Sequence, residues 1–481
     1  DKDRLELESL INQVSAASGI TFCIAAGNLG PGLDTISNPA GSQAGIAVGG
    51  FLSPEMWRVN YGWSVSEPTI WSFSSVGPYG GGLSPLVVAP ASAITTNVKW
   101  RTDYTLEEGT SIASPYVAGG TALLIQAARQ EGLSVSPKML QLAIARGAKS
   151  LSGYTVVEAG WGALDLMQSW QELQSLPSMP LEVDQGVEGR GLYERSYFPG
   201  GSYLQMMNPT GYARFLELTA SSPWIKLEQE SIQVPAGETR TLAVGYDIPT
   251  EPGLYTGMVT GIDKTSREKV LESLQTIIVP YWLSANSGAN VAGEIPAGMY
   301  QRYYFKVPEG SGQMKFNISI PRDDFGKYEG RVRAYLMDPS GQQVYSTGYA
   351  GSGYPDTSAY EFLDIVRDNP AGGVWELVVY SSVSMAQYQR ETSRFNITAR
   401  LVDWTVEPPR DPDDKYIVTT APPVSPGEGD SWVTLNFWDK VTKIPAKGRV
   451  LINNLVYEIK NGKVQLQVSA RDQFPWFQIA W

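Results

Sequence analysis

The hydrophobic pattern of this chain changes period once, near residue 176, and that change limits the folds open to it. Before it, helical stretches alternate with short apolar runs; after it come short alternating runs broken by Gly, Pro, Asn and Asp. Leu5, Leu7, Leu10, Ile11, Val14 and Ala17 sit at near-helical spacing, with Gly19 as a C-terminal stop. ITFCIAAGN (20–28) has strand length and the apolar continuity of a strand covered on both faces. IAVGG (46–50), SPLVVAP (84–90), a helix from Ser111 to about Gln130 and a second helix opened by Ser136 and Pro137 continue the alternation. The segment 1–176 therefore reads as α/β, closed by the linker LPSMP.

Beyond it, RFLELTA, RTLAVGY and QTIIVPYW predict a β-sandwich over 177–284, and SANSGANVAGEIPAG (284–298) reads as a break before a second sandwich or jelly roll over 285–403. EPPRDPDDK and APPVSPGEGD are too rich in Pro and Asp for central strands, so 404–481 is expected to be a linker and a small β tail. A length of 481 residues suits such a division, since single cores stop growing well below it.

Composition narrows the partners. A formal charge of -12 disfavours a phosphate backbone or an anionic lipid surface, so no nucleic-acid partner is expected. No stretch approaches 18 uninterrupted apolar residues, so no membrane span is expected either. Cys23 stands alone, which fits a reduced cytosol and equally an exported protein that never used cystines; an extracytoplasmic location is slightly favoured, with the cytoplasm as alternative. The start, Asp-Lys-Asp-Arg, is unlike a signal peptide, although a chain beginning in mid-domain would not display one.

Chemistry concentrates in GTSIASPYVAGG (109–120). Ser111 follows Gly109 and Thr110 and opens a helix of small and apolar residues, which sets its hydroxyl at the positive end of the helix dipole. Pro115 is expected in the first turn, where no amide donor is needed, and Gly119 and Gly120 allow close backbone packing. A bare GTS would be an ordinary capped helix; Ser, Pro and Gly at these offsets point to a nucleophile. Asn28, at the end of AAGN, could donate its amide to a developing oxyanion, although Gly-Asn is also common at turns. A serine hydroxyl needs a base, and this sequence contains no histidine. Asp103, Glu107 and Glu108 precede Ser111 but read more simply as solvated loop charges.

GTSIASPYVAGG, AAGN with NPA (38–40), IAVGG, FSSVGP (73–78), VVAP (87–90) and GWGALDL (160–166) together resemble, in collinear order, the C-terminal part of a subtilase catalytic domain. GRGLYER (189–195), SSPWIKL (221–227) and FKVPEG (305–310) extend the likeness towards the tripeptidyl peptidase II group, over roughly residues 1–400. The resemblance implies a Ser-His-Asp peptidase with Ser111 as nucleophile, Asn28 as oxyanion donor and Ala25, Ala26 and Gly27 beside the primary substrate pocket. The family's Asp and His motifs precede the oxyanion asparagine and are absent from this sequence. The expected partners are thus an N-terminal segment or chain carrying both, and a peptide or protein substrate; homo-oligomerisation through the β modules is compatible with the resemblance. Tyr116 stands where subtilisins commonly have His, and Val76 where FSSRGP-type sequences have Arg.

The fold expected is multidomain: a partial subtilisin-like α/β domain with a parallel sheet lacking its first strands, then all-β sandwich or jelly-roll modules. The alternative function is a noncatalytic binding or assembly protein built on a degenerate subtilase half. No cofactor is expected: Asp323 with Asp324, and Asp411 with Asp413 and Asp414, could hold structural calcium but read as solvated turn acids. Tyr300, Tyr303, Tyr304 and Phe305 read as sandwich core, with residues of opposite parity outside.

Overall fold

Four short strands organise the first 176 residues. In the computed structural model, β1 (Phe22–Ala25) and β2 (Gly45–Leu52) run parallel, Phe22 opposite Gly45 and Ala25 opposite Val48. β3 (Thr69–Ile70) pairs antiparallel with the end of β2, and β4 (Val87–Pro90) pairs parallel with its second half. β2 is therefore central, and β1 is an edge strand that pairs with β2 alone among the described residues. The structure describes residues 2–80, 82–96, 98, 100–176, 180–185, 191–195, 200–284, 288–351, 362–388, 390–402, 416–420, 431–439, 445–446, 448–452, 455–468 and 479–480.

A continuous apolar strand such as β2 requires cover on both of its faces. Helix α1 (Lys2–Ser18) is tied down by Tyr79, whose hydroxyl donates to Glu8 Oε1 (2.8 Å), and by Asn12 Oδ1, which accepts from Ala44 N (2.9 Å). After the single turn α2 (Pro54–Met56) and the hairpin β5 (Ser92–Thr96) and β6 (Tyr104–Glu108), α3 (Thr110–Gln130) crosses one face of the sheet. Its Ala113, Val117, Leu124 and Ala128 share a core with Ile46, Val48, Val87 and Ala89. Helices α4 (Pro137–Gly147), α5 (Val156–Ala159) and α6 (Leu166–Ser175) complete the segment, and α4 opens as expected, with Ser136 Oγ accepting from Met139 N and Pro137 in its first turn.

Two local expectations change. Among the described side chains of α1 the buried positions are Glu8, Ile11 and Ser15, while Leu7 and Leu10 are 44% and 53% exposed. With Glu8 held inward by Tyr79, Leu7 and Leu10 turn outward. Pro115 lies within α3, beyond the first turn, and so removes the amide that would otherwise bond the Ser111 carbonyl.

After residue 176, sheets pack in pairs. Strands Arg214–Ala220, Gly253–Asp263 and Lys269–Val279, with their neighbours, face Gly201–Met207 and Thr239–Tyr246 across a core of Leu204, Leu216, Leu242, Val259 and Ile277. A second pair sets Tyr300–Val307, Arg331–Met337 and Gly373–Ser381 against Gln313–Ser319 and Thr392–Val402, closing over Phe305, Phe316, Leu336, Leu377 and Phe395. Two three-stranded sheets between Tyr416 and Ala480 enclose Leu435, Phe437, Val450 and Leu466. The stretch 407–415, with Asp411, Asp413 and Asp414, and the stretch 421–430 lie outside the described residues.

The expected break at 284–298 contains a strand instead, Ala289–Pro296, paired along its length with Thr392–Val402. The parity expected of the tyrosine-rich strand also changes. Tyr303 and Phe305 face the sandwich core, but Tyr300 and Tyr304 are buried too. They pack on the first segment, Tyr300 with Ile70, Val88 and Ala159, and Tyr304 with Leu33, Val76 and Val157. The sandwich is thus clothed on its outer face by the α/β segment.

Candidate active site

Three neighbours in space, Asn28, Gly109 and Ser111, come from the end of β1 and the start of α3. Gly109 takes φ +139°, a conformation L side chains rarely adopt, and its amide donates to Ala91 O (2.9 Å), so β6 is turned sharply into the helix. Asn28 is held by the next residue, Thr110, whose backbone N–H and hydroxyl both donate to Asn28 Oδ1 at 3.0 Å. The Thr110 hydroxyl also accepts from Gly27 N (3.2 Å). Because the bond from a backbone N–H fixes which end of the amide is oxygen, Nδ2 is the end left to donate elsewhere. The point where a Cβ on Gly109 would stand is 3.0 Å from Ser111 Oγ and 3.5 Å from Asn28 Nδ2. Both side chains are exposed, so a hydroxyl and an amide donor converge on one open spot above a glycine.

The loop beyond Asn28 is built on close approaches. Gly27 takes φ +109°, and a Cβ there would stand 2.0 Å from Ser37 Oγ. Gly27 O accepts from Ser75 N (2.9 Å), and Ser75 Oγ accepts from Leu29 N (3.1 Å), which ties AAGN to FSSVGP. Val76 is fully buried with Leu33 and Val157, so its surroundings are apolar. Ala25 and Gly27 are partly exposed, but Ala26 is fully buried with Ile36, Ala40 and Ala47. Its side chain packs in that core, beneath the strand end.

The nearby acids are engaged elsewhere. Asp103 pairs with Arg101, Glu107 accepts from Thr105 Oγ1 (3.0 Å), and Glu108 Oε1 accepts from Tyr61 OH (2.6 Å). Burial, reinforced by Glu108, pushes the Tyr61 hydroxyl above its usual range. Burial also pushes up the Cys23 thiol, which lies 3.8 Å from Thr121 Oγ1. Tyr116 is 47% exposed and Leu123 58%, both on the side of α3 turned away from the sheet. Thr110 is the functional candidate that sequence reasoning passed over; its place between glycine and serine in GTS was the available signal. Asp323 is a turn acid: it accepts from Phe325 N and Lys327 N and pairs with Arg390, contacts that hold its carboxyl below the usual range.

A parallel sheet under helices, a serine at the N-terminus of the central helix and an asparagine beside it define the subtilisin architecture, and residues 2–163 match the model of the subtilase family. This part of the chain belongs to that family. The chain is similar to tripeptidyl-peptidase 2 of Drosophila melanogaster, at 28% identity over 66% of this chain and 25% of that protein. It is similar also to pyrolysin of Pyrococcus furiosus, at 28% identity over 76% of this chain and 28% of that protein. A crystal structure of tripeptidyl peptidase 2 superposes with a TM-score of 0.65 at 20% identity, covering 92% of this chain and 36% of that one, which shows the shared fold of subtilase segment and β modules. The chain spans roughly a quarter of the length of these curated relatives. Among the described residues no helix is long and apolar enough to cross a membrane.

Proposed function

We propose that this chain is the nucleophile-bearing part of a subtilisin-type serine peptidase, completed by a histidine and an aspartate from a segment outside these residues. In that reading an imidazole takes the proton of Ser111 Oγ as the oxygen attacks the scissile carbonyl. The carbonyl oxygen becomes an oxyanion and accepts from Asn28 Nδ2. Collapse breaks the C–N bond, the imidazolium gives its proton to the leaving amine, and water then hydrolyses the ester on Ser111. Ala25 and Gly27 would flank the substrate side chain. The observation that carries the reading is the convergence of Ser111 Oγ and Asn28 Nδ2 above Gly109.

The uncovered parts of the molecule support the need for a completing segment. β1 keeps one backbone edge unpaired among the described residues, and α3 exposes Pro115, Tyr116, Gly119 and Leu123 beyond Ser111. An unpaired edge of a parallel sheet and a bare apolar helix face are ordinarily covered. Mass spectrometry of natural material tests this directly: a tightly held chain, or a continuous extension, bearing a histidine and an aspartate is expected. Its absence, together with a Ser111 inert to fluorophosphonate, would favour the noncatalytic binding reading.

A further inference from the structure

We propose that Arg302 and Glu376, on the second sandwich, are positioning residues for the loop that carries Asn28, so that a β module sets the place of the oxyanion donor; this rests on the peptidase reading above. The loop needs external support. Gly30 and Gly32 lie two and four residues beyond Asn28, and glycine backbone is costly to order. One side is held by FSSVGP, through Gly30 N to Phe73 O (2.9 Å) and Thr35 N to Val76 O (2.9 Å). The other side is held by charge. Arg302 donates to Pro31 O from Nη2 (2.6 Å) and Nε (3.1 Å), while Leu33 N donates to both oxygens of Glu376 (3.2 Å each).

These two side chains belong to one sealed network. Arg302 Nε also reaches Glu376 Oε1 (3.1 Å), Arg195 Nη1 reaches Glu376 Oε2 (3.1 Å), and Arg302 pairs with Glu158 of α5. Two cations face two anions, and all four side chains are nine-tenths or more buried. Burial alone would push the Arg302 guanidinium down, but Glu158 and the neighbouring groups carry it well above its ordinary value, so it stays charged. The strand pattern explains the geometry: Arg302 and Tyr304 share one parity on Tyr300–Val307, as do Val374, Glu376 and Val378 on Gly373–Ser381, and both sets point at the α/β segment. A buried ion network is a poor source of net stability, whereas its directional bonds fix a backbone.

Hydrogen exchange on the 481-residue chain tests the claim without reference to activity. Glu376→Gln should speed exchange of the Leu33 amide and of the Thr110 amide, which is bonded to Asn28 and touches no member of the network, by about tenfold or more, leaving strand Gly253–Asp263 unchanged. Arg302→Lys keeps a buried cation but loses the fork on Pro31, and should show the same signature if the first variant folds poorly. In the completed peptidase Glu376→Gln should lower kcat about tenfold with KM within about twofold, and should add nothing in an Asn28→Ala background. Unchanged Thr110 exchange in both variants, or a kcat loss that persists without Asn28, would overturn the proposal. An active Ser111→Ala protein would sink the peptidase reading instead.

Discussion

Where a hydroxyl and an amide nitrogen meet above one glycine, each of the three residues has a separable role. Asn28→Ala should lower kcat of the completed enzyme by about 10² to 10³ with little change in KM, since the lost donor acts on charge that exists only in the transition state. Steady-state kinetics on a peptide substrate decides it; equal changes in kcat and KM would mean Asn28 acts elsewhere. Gly109→Ala should cost about 1–3 kcal/mol of stability through its positive φ, read as a lowered unfolding midpoint, and should also displace Ser111, which its Cβ would crowd at 3.0 Å. Cys23 offers a pH readout. The thiolate is the reactive form and burial raises the thiol's pKa, so alkylation of the folded chain should stay slow at pH 8 and become fast only on denaturation. Fast modification of folded protein would place Cys23 in the open.

At the scale of elements, β1 and α3 were legible in the sequence because continuous apolar runs and the capped GTS string are local signals. The orientation of α1 was not, since a leucine stripe at helical spacing says nothing of Glu8 being claimed by Tyr79, 71 residues away. Nor was the role of Thr110, whose hydroxyl matters only once β1 brings Asn28 beside it. The same logic makes β1 a reporter. Ala26 N bonds Val48 O, so alternation turns the amides of Cys23 and Ala25 to the outer edge. Binding of the completing segment should protect these two amides from exchange and leave those of β2 unchanged. Equal protection of both strands would mean general tightening, with no docking at the edge.

At the scale of the whole molecule, period alone announced sandwiches after residue 176 but hid how they serve the first segment. A strand buried on both faces, such as Gly373–Ser381, carries two parities of information, and only one belongs to its own core. The other meets Leu33, Val76 and Val157. Residues 1–176 in isolation should therefore lack a cooperative thermal transition, because separation from the sandwiches bares that cluster and strands Glu158 without Arg302. A sharp calorimetric melt of the fragment would show that the interface is dispensable.

Fluorophosphonate labelling of Ser111, followed by intact mass, tests the central claim most directly. The chain with the histidine- and aspartate-bearing segment should label rapidly and to one equivalent, the chain alone only sluggishly, and Ser111→Ala never. A completed assembly that leaves Ser111 unlabelled, or that cleaves peptides equally well without its hydroxyl, would contradict it.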